Sequence, residues 1–473
     1  MTDRKIKSQD GVLPLRDARF SAQVDVLVVG GGGCGLTAAL SAQERGASVL
    51  VLERDASALG TTAMSTGLIP GAGTHAQMAK GIHDSADLFC ADILAKTQGQ
   101  TDASIALALA GESAATVEWL IDAQRVPLTL VDSFLYPGHS VLRMHGTRNR
   151  TGSELMGALA AAIARRGIDL LTEALVTDLF AGVDGRIHGA RVRRPDGAQE
   201  DIACGALVLA CCGFAGNAEM VATYIPEIVG ATFFGHAGNK GDAIRWGLAL
   251  GAAVRDIHAY QGHGGLAAGH HIPILWPLIV EGGFQVNALG ERFSDESLGY
   301  SQQAVNVVAQ PGHFAWDIFD ERLHGLMQEF DDYRDAVAAR AIVSAADLAQ
   351  LAKLTSLPAS ALRATVAQVA RCVRGEDADQ FGRNFIGRPA LAPPYYAVKV
   401  NGALFHTQGG LAVDANGRVL REDGTALPNL FAGGGAARGI SGPSCSGYIA
   451  GNGLLTATTF GRLAGRAAAN LKE

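Results

Sequence analysis

Cysteine is sparse and unorganised in this 473-residue chain. Its seven copies, Cys34, Cys90, Cys204, Cys211, Cys212, Cys372 and Cys445, are odd in number and scattered, which argues against a disulfide framework. None forms the CxxC, CxxCH or multi-cysteine run that holds zinc, haem or an iron–sulfur cluster. A reducing cytoplasm fits that usage. Charge is thin as well: 39 Lys and Arg against 46 Asp and Glu give a net charge of −7, with no basic block to neutralise phosphates. Nucleic acid is therefore excluded as a partner. Apolar runs of about eighteen residues are missing, so no membrane span is expected, and the opening residues lack the apolar core of a secretory signal. What is present in excess is glycine, 60 residues without a collagen-like period, which points to tight turns and close backbone approaches. Apolar residues at 48% and charged ones at 18% describe a soluble globular enzyme of two or three domains.

The stretch "VDVLVVGGGGCG", residues 24–35, puts a continuous apolar strand before Gly30-x-Gly32-x-x-Gly35. Helical spacing follows in "LTAALSAQERGA", and a second strand, "SVLVLE", ends on Glu53. Such glycines let a backbone touch a pyrophosphate, the helix start stabilises its charge, and the acid accepts from a ribose hydroxyl. The motif alone leaves FAD and NAD open. Further on, a helical region is expected at about 83–125 and strands between 170 and 213, with hairpin turns at Asp184-Gly185 and Asp196-Gly197. "ALVLACCGFAGN" reads as an apolar strand returning to the first sheet. Residues 260–400 change texture to His- and Pro-rich loops and an Ala-rich helical stretch. Strand-and-turn patterning then resumes and ends in "GPSCSGYIAGNGLLTATTFGRLAG", a glycine-rich turn entering a helix with Tyr448 at the junction.

"RDASALGTTAMSTGLIPGAG" (54–73), "VVGGGGCGLTAALSAQERGASVLVLE" and "NLFAGGGAARG…GNGLLTATTFGRLAG" together resemble the FAD-dependent fumarate reductase/succinate dehydrogenase flavoprotein superfamily over residues 22–468. That resemblance implies an α/β fold. Its Rossmann-like FAD-binding domain would be discontinuous (20–259 and 404–473), with an inserted α+β capping domain at 260–403 and substrate bound between them. It favours FAD, and non-covalent FAD, because 54–73 lacks the histidine that bonds the flavin in several relatives and His75 lies beyond it. Cofactor contacts are implied for Gly30, Gly32, Gly33, Gly35, Glu53, Arg54, Thr61, Thr62, Thr66, Gly67, Gly435, Asn452, Gly453 and Leu454.

The family's carboxylate reductases hold a dicarboxylate with histidines and arginines. "FHTQGG" matches their "HTMGG"-like stretch and keeps His406, and "YQGHGG" supplies His263. The two arginine positions hold Tyr300 and Tyr448 instead, a pair that resembles 3-ketosteroid dehydrogenases and cyclohexanone-type ketone desaturases. Phenols suit a neutral carbonyl, whereas a buried dicarboxylate without guanidinium partners would carry uncompensated charge. The expected reaction is α,β-desaturation beside a ring ketone. Tyr448 and a backbone N–H near Asn452 would polarise the carbonyl. Tyr300 would take the α-proton, with His263 or Tyr136 as relay, and the β-hydride would go to the flavin. The partners expected are a small-molecule ketone and a separate electron acceptor. A flavin-dependent reductase of an enone or unsaturated carboxylate is the alternative, and a non-catalytic flavin-binding protein is a third. Trp276 and its neighbours suggest an apolar pocket. No metal site is expected from His263, His270 and His271. Arg143, His145 and Arg148 form a basic loop that meets either phosphate or solvent, and Cys445 is read as a small filler of its turn.

Overall fold

The computed structural model describes residues 11–471. The chain forms two compact units. One comprises the segments up to Tyr224, Gly235–Tyr260 and from His406 onward, and the other Ile225–Phe234 and Gln261–Phe405.

In the first unit, β1 (Val12–Pro14) and β2 (Phe20–Val29) lead through the glycine turn into α1 (Gly33–Glu44) and β3 (Val49–Leu52). Val26, Leu27, Val28 and Val29 are all buried, as a strand covered on both faces requires. β2 runs parallel to β3 with Val28 opposite Val51. The helical region resolves into α2 (Ala86–Lys96) and α3 (Ala103–Asp122), opened by the caps Ser85 and Asp102. Among the described residues, α3 is the one helix long and apolar enough to cross a membrane, yet its Ile105, Leu109, Val117 and Leu120 lie buried in this unit. α4 (Gly152–Arg165) precedes β4 (Asp169–Leu171), β5 (Leu175–Ala181), β6 (Ile187–Arg193) and β7 (Gln199–Leu209). The expected hairpin turns join β5 to β6 and β6 to β7, with Gly185 and Gly197 at φ of 83° and 87°. The sheet order is β1-β5-β6-β7-β2-β3-β4.

The second unit is built on a seven-stranded sheet that includes β8 (Tyr260–Ala267), β9 (Phe314–Asp320) and β10 (Tyr395–Thr407). β9 and β10 pair antiparallel from Phe314–Asn401 to Asp320–Tyr395. α5 (Tyr300–Val308) and the helices Asp331–Ala338, Leu348–Thr355 and Ala359–Val373 belong here. Arg292 and Arg383 both pair with the buried Glu296, and Arg292 also pairs with Asp379.

The chain then returns to the first unit as β11 (Ala426–Ala432) and α6 (Asn452–Ala469). Leu430–Ala432 of β11 pair parallel with Leu207–Leu209 of β7. α6 lies along α1 at a distance only glycine permits: a Cβ on Gly465 would stand 2.1 Å from the Ala38 carbonyl oxygen, and one on Gly461 2.5 Å from that of Cys34. Ser41 Oγ donates to the Arg462 carbonyl at 2.7 Å and ties the pair together.

Candidate active site

The cofactor cradle lies in the first unit. A cleft there is lined by Gly30, Gly32, Glu53, Arg54, His236 and Asn239, among others. A Cβ on Gly35 would meet the Gly30 carbonyl oxygen at 1.8 Å, so the third glycine of the motif is demanded by the tightness of the turn. The Gly31 N–H donates to Glu53 Oε2 at 2.8 Å and the Asp55 N–H to Oε1 at 2.9 Å. The acid is thereby fixed facing the cleft with lone pairs left for hydroxyl donors. Gly33 N–H donates to Thr62 Oγ1 at 3.2 Å. Thr61 Oγ1 accepts from His236 N–H and Asn239 Nδ2, each at 3.2 Å. Thr66 is half-buried and Gly67 buried, the latter donating to Ser65 Oγ. Gly435 packs against Gly213. These residues fit a dinucleotide: a carboxylate, hydroxyls and bare backbone around an open cleft. His236 and Asn239 were not found from sequence; their only signal was the glycine-rich "GHAGNKGD", far from the N-terminal motif. Cys211 and Cys212 also line the cleft, and burial pushes both thiols up, Cys212 to about 11, so neither is a ready nucleophile.

Tyr448 is buried at the turn before α6. The amides around Asn452 were expected to face the flavin and substrate, but the turn engages them. Asn452 N–H donates to Ile449 O at 3.1 Å, Gly453 N–H to Tyr448 Oη at 3.2 Å, and Leu454 N–H to Gly451 O at 3.1 Å. The first turn of the helix thus donates to the phenol oxygen and fixes its position. His406 meets Tyr448 edge-on, with ring centroids 6.0 Å apart. A Cβ built on Gly453 would lie 2.8 Å from His406 Nε2 and 3.4 Å from Tyr448 Oη, so both polar groups converge on one small space. Burial lowers the His406 pKa to about 4 and keeps the ring neutral.

The basic loop resolves clearly. Arg143 is fully buried, with Asp84 accepting from Nε and Nη2 and Asp92 from Nη1. It also donates to His139 Nδ1 at 3.1 Å, which leaves His139 Nε2–H to donate to the Ala450 carbonyl at 2.9 Å. This chain props the turn that carries Tyr448. His145 is buried between Thr74 Oγ1 and the Arg143 carbonyl, and Arg148 is exposed. Arg438 is held by Asp102 and Asp256. Tyr136 packs edge-on against Phe134, and burial pushes its phenol up to about 12, which opposes the expected relay role.

In the second unit His263 is sandwiched between Phe405 (5.2 Å, 7°) and Tyr300 (5.1 Å, 29°), with Trp276 edge-on at 5.7 Å. Gly265 N–H donates to its Nδ1 at 3.0 Å, and burial lowers its pKa to about 3. Burial keeps the ring neutral, which opposes the expected relay role, and His263 stands in an aromatic stack with Tyr300. Trp276, expected to line a pocket, is instead buried among Ile274, Leu278 and Ile279 and donates to the Glu296 carbonyl. His270 and His271 sit exposed on a turn. Among the described residues no group of three or more His, Cys, Asp or Glu is arranged to hold a metal.

A family model described as "FAD binding domain" matches residues 25–454. A probable fumarate reductase of Shewanella frigidimarina is 30% identical over 98% of this chain and 77% of its own length. An NADH:fumarate oxidoreductase of Klebsiella pneumoniae is 29% identical over 94% of this chain, which spans about half (47%) of that relative. A 4-oxocyclohex-2-ene-1-carboxylate 5-dehydrogenase of Sinomonas cyclohexanicum is 29% identical over 72% of this chain and 65% of its own. Among solved structures, the open form of a flavocytochrome c3 fumarate reductase superposes with a TM-score of 0.80 at 29% identity, covering 97% of this chain and 80% of that one. A 3-ketosteroid-Δ4-(5α)-dehydrogenase of Rhodococcus jostii gives 0.75 at 24% identity, over 96% and 98% of the two chains, a likeness of fold.

Proposed function

Because the chain belongs to the FAD binding domain family and is an FAD-dependent oxidoreductase of the fumarate reductase superfamily, we propose that it desaturates a ring ketone at the α,β carbons. The observation that carries this reading is the Tyr448 hydroxyl, bonded by the Gly453 amide and beside a neutral His406, where the superfamily's carboxylate reductases place an arginine. The arginines packed nearby are already committed to acids: Arg143 to Asp84 and Asp92, Arg438 to Asp102 and Asp256. A site of phenol and uncharged imidazole accommodates a carbonyl oxygen and disfavours a second carboxylate. Tyr448 donates to that oxygen and acidifies the neighbouring carbon. Tyr300, held by its stack with His263, is the group that would take the α-proton, on Oη of its phenolate form. FAD, when bound, supplies the acceptor for the β-hydride. The name of the Sinomonas relative, a dehydrogenase of a cyclohexenone acid, supports this direction and substrate class.

The reverse reaction on an enone or unsaturated acid is the second reading, favoured by the fumarate reductase relatives and by the retained His406 and His263. The two separate on anaerobic mixing of the oxidised protein with cyclohexanone, with a 3-ketosteroid and with fumarate. Bleaching of the flavin by a saturated ketone is expected. Silence towards ketones, with dithionite-reduced protein reoxidised by fumarate, would overturn the proposal. The cofactor is proposed to be non-covalent, so acid precipitation should leave all the yellow colour in the supernatant.

A further inference from the structure

Gln408 lies between two groups of the Tyr448 site and is itself buried. Its Nε2 is 3.0 Å from His406 Nδ1, and its Oε1 is 2.7 Å from Asn452 Nδ2 and 3.3 Å from Ser441 Oγ. Asn452 Nδ2 also reaches Ser441 Oγ at 2.7 Å, while Asn452 Oδ1 is buried without a partner among the described residues. The heavy atoms permit two arrangements of these amides. Reversing both would turn the unpartnered atom of Asn452 into a buried NH2 with no acceptor among the described residues. Orphaned buried N–H groups are rarer and costlier than an under-satisfied carbonyl, so the arrangement with Gln408 Nε2 as donor prevails. Nδ1 of His406 is then an acceptor, and the neutral ring carries its proton on Nε2. That is the nitrogen beside Gly453, in the space it shares with Tyr448 Oη.

We propose that Gln408 is a positioning residue that locks His406 in the Nε2–H tautomer, so that the imidazole stands beside the Tyr448 hydroxyl as a second hydrogen-bond donor for a substrate carbonyl oxygen. The substrate half of this statement rests on the ketone reading above; the tautomer half does not. The other groups meeting the imidazole are the Thr407 carbonyl, 3.2 Å from Nδ1, and Tyr448. The carbonyl alone would call for the opposite tautomer, so Gln408 decides between them.

The test is long-range proton–nitrogen NMR on the FAD-loaded protein labelled with 15N-histidine, with the His406 signals assigned by their loss in His406→Gln. Wild type should show protonated Nε2 and bare Nδ1 across about pH 6 to 8, the range in which an ordinary histidine would titrate. Gln408→Glu places an acceptor against Nδ1, so the proton should move to Nδ1 or the ring should become charged in that range. Its kcat on the ketone that bleaches the wild-type flavin should fall by about 10²-fold, the scale of one lost oxyanion donor, with flavin content and visible spectrum unchanged. A wild-type Nδ1–H tautomer overturns the proposal, and that measurement needs no variant to fold. So does Gln408→Glu with an unmoved tautomer. If the tautomers behave as expected while no ketone reacts, the ketone reading fails and the role of Gln408 in setting the tautomer stands.

Discussion

Replacing Tyr448 by phenylalanine takes one oxygen from a buried turn while the ring keeps its packing. The Gly453 N–H loses its acceptor and, on the proposed ketone reading, the substrate carbonyl loses its donor, so kcat on the reacting ketone should drop by about 10²–10³. FAD content and melting temperature should stay close to wild type. Gly453→Ala tests the same spot from the other side. The new methyl would press on His406 Nε2 at 2.8 Å, where real Cβ contacts do not occur, so turnover should fall while the cofactor remains bound. A wild-type kcat in either variant removes the carbonyl site from this turn. At this scale Tyr448 and His406 were legible because each sits inside a recognisable motif. Gln408 also lies in a motif, but its chemistry depends on Asn452, 44 residues away, and His139 acts on Ala450 across 311 residues. Neither pairing leaves a mark on a single sequence.

Elements were read more completely than residues. The strand, glycine turn and helix at β2–α1 and the two Asp-Gly hairpins follow from local periodicity and turn chemistry, which need no distant partner. What the pattern could not convey is how closely α6 approaches α1. Gly465→Ala places a methyl 2.1 Å from the Ala38 carbonyl oxygen, and overpacking of this kind costs about 1–3 kcal/mol. The helices must part, so a lower melting temperature and weaker FAD retention are expected together; an unchanged melting temperature would show that the pair is looser than described. The loop around Arg143 was readable only as basic. Its burial depends on Asp84, in the loop before α2, and on Asp92 of α2, both upstream in the chain. Arg143→Met leaves those carboxylates in the interior unpaired, a loss of about 3–5 kcal/mol, to be measured by denaturant unfolding.

Over the whole molecule, buried titratable groups set the response to acid. His139, His145 and His406 are lowered to about 4 and His263 to about 3, in each case chiefly by burial. The folded chain therefore binds fewer protons than the unfolded one below the ordinary histidine range. Stability present above about pH 6.5 is lost as the pH falls towards 4, at ~1.4 kcal/mol per pH unit for each such ring. Asp317 has the opposite sign. Burial raises it to about 8, so its contribution is complete below about pH 4 and is lost as the pH rises through 8. Unfolding at about pH 5 should then take up roughly three protons, read from calorimetry in two buffers of different ionisation heat. Above about pH 7, where the histidine contributions level off, Asp317→Asn should abolish the decline in stability towards pH 8; a decline that persists would assign it to another group.

The knitting of β11 to β7 and of α6 to α1 brings together stretches of chain more than two hundred residues apart. During translation the early sheet waits with an open edge at Leu207–Leu209 until the closing segment leaves the ribosome. Cofactor capture is thus tied to the emergence of β11 and α6. Nascent chains stalled before Ala426 should remain colourless and associated with chaperones, and chains released beyond Ala469 should turn yellow.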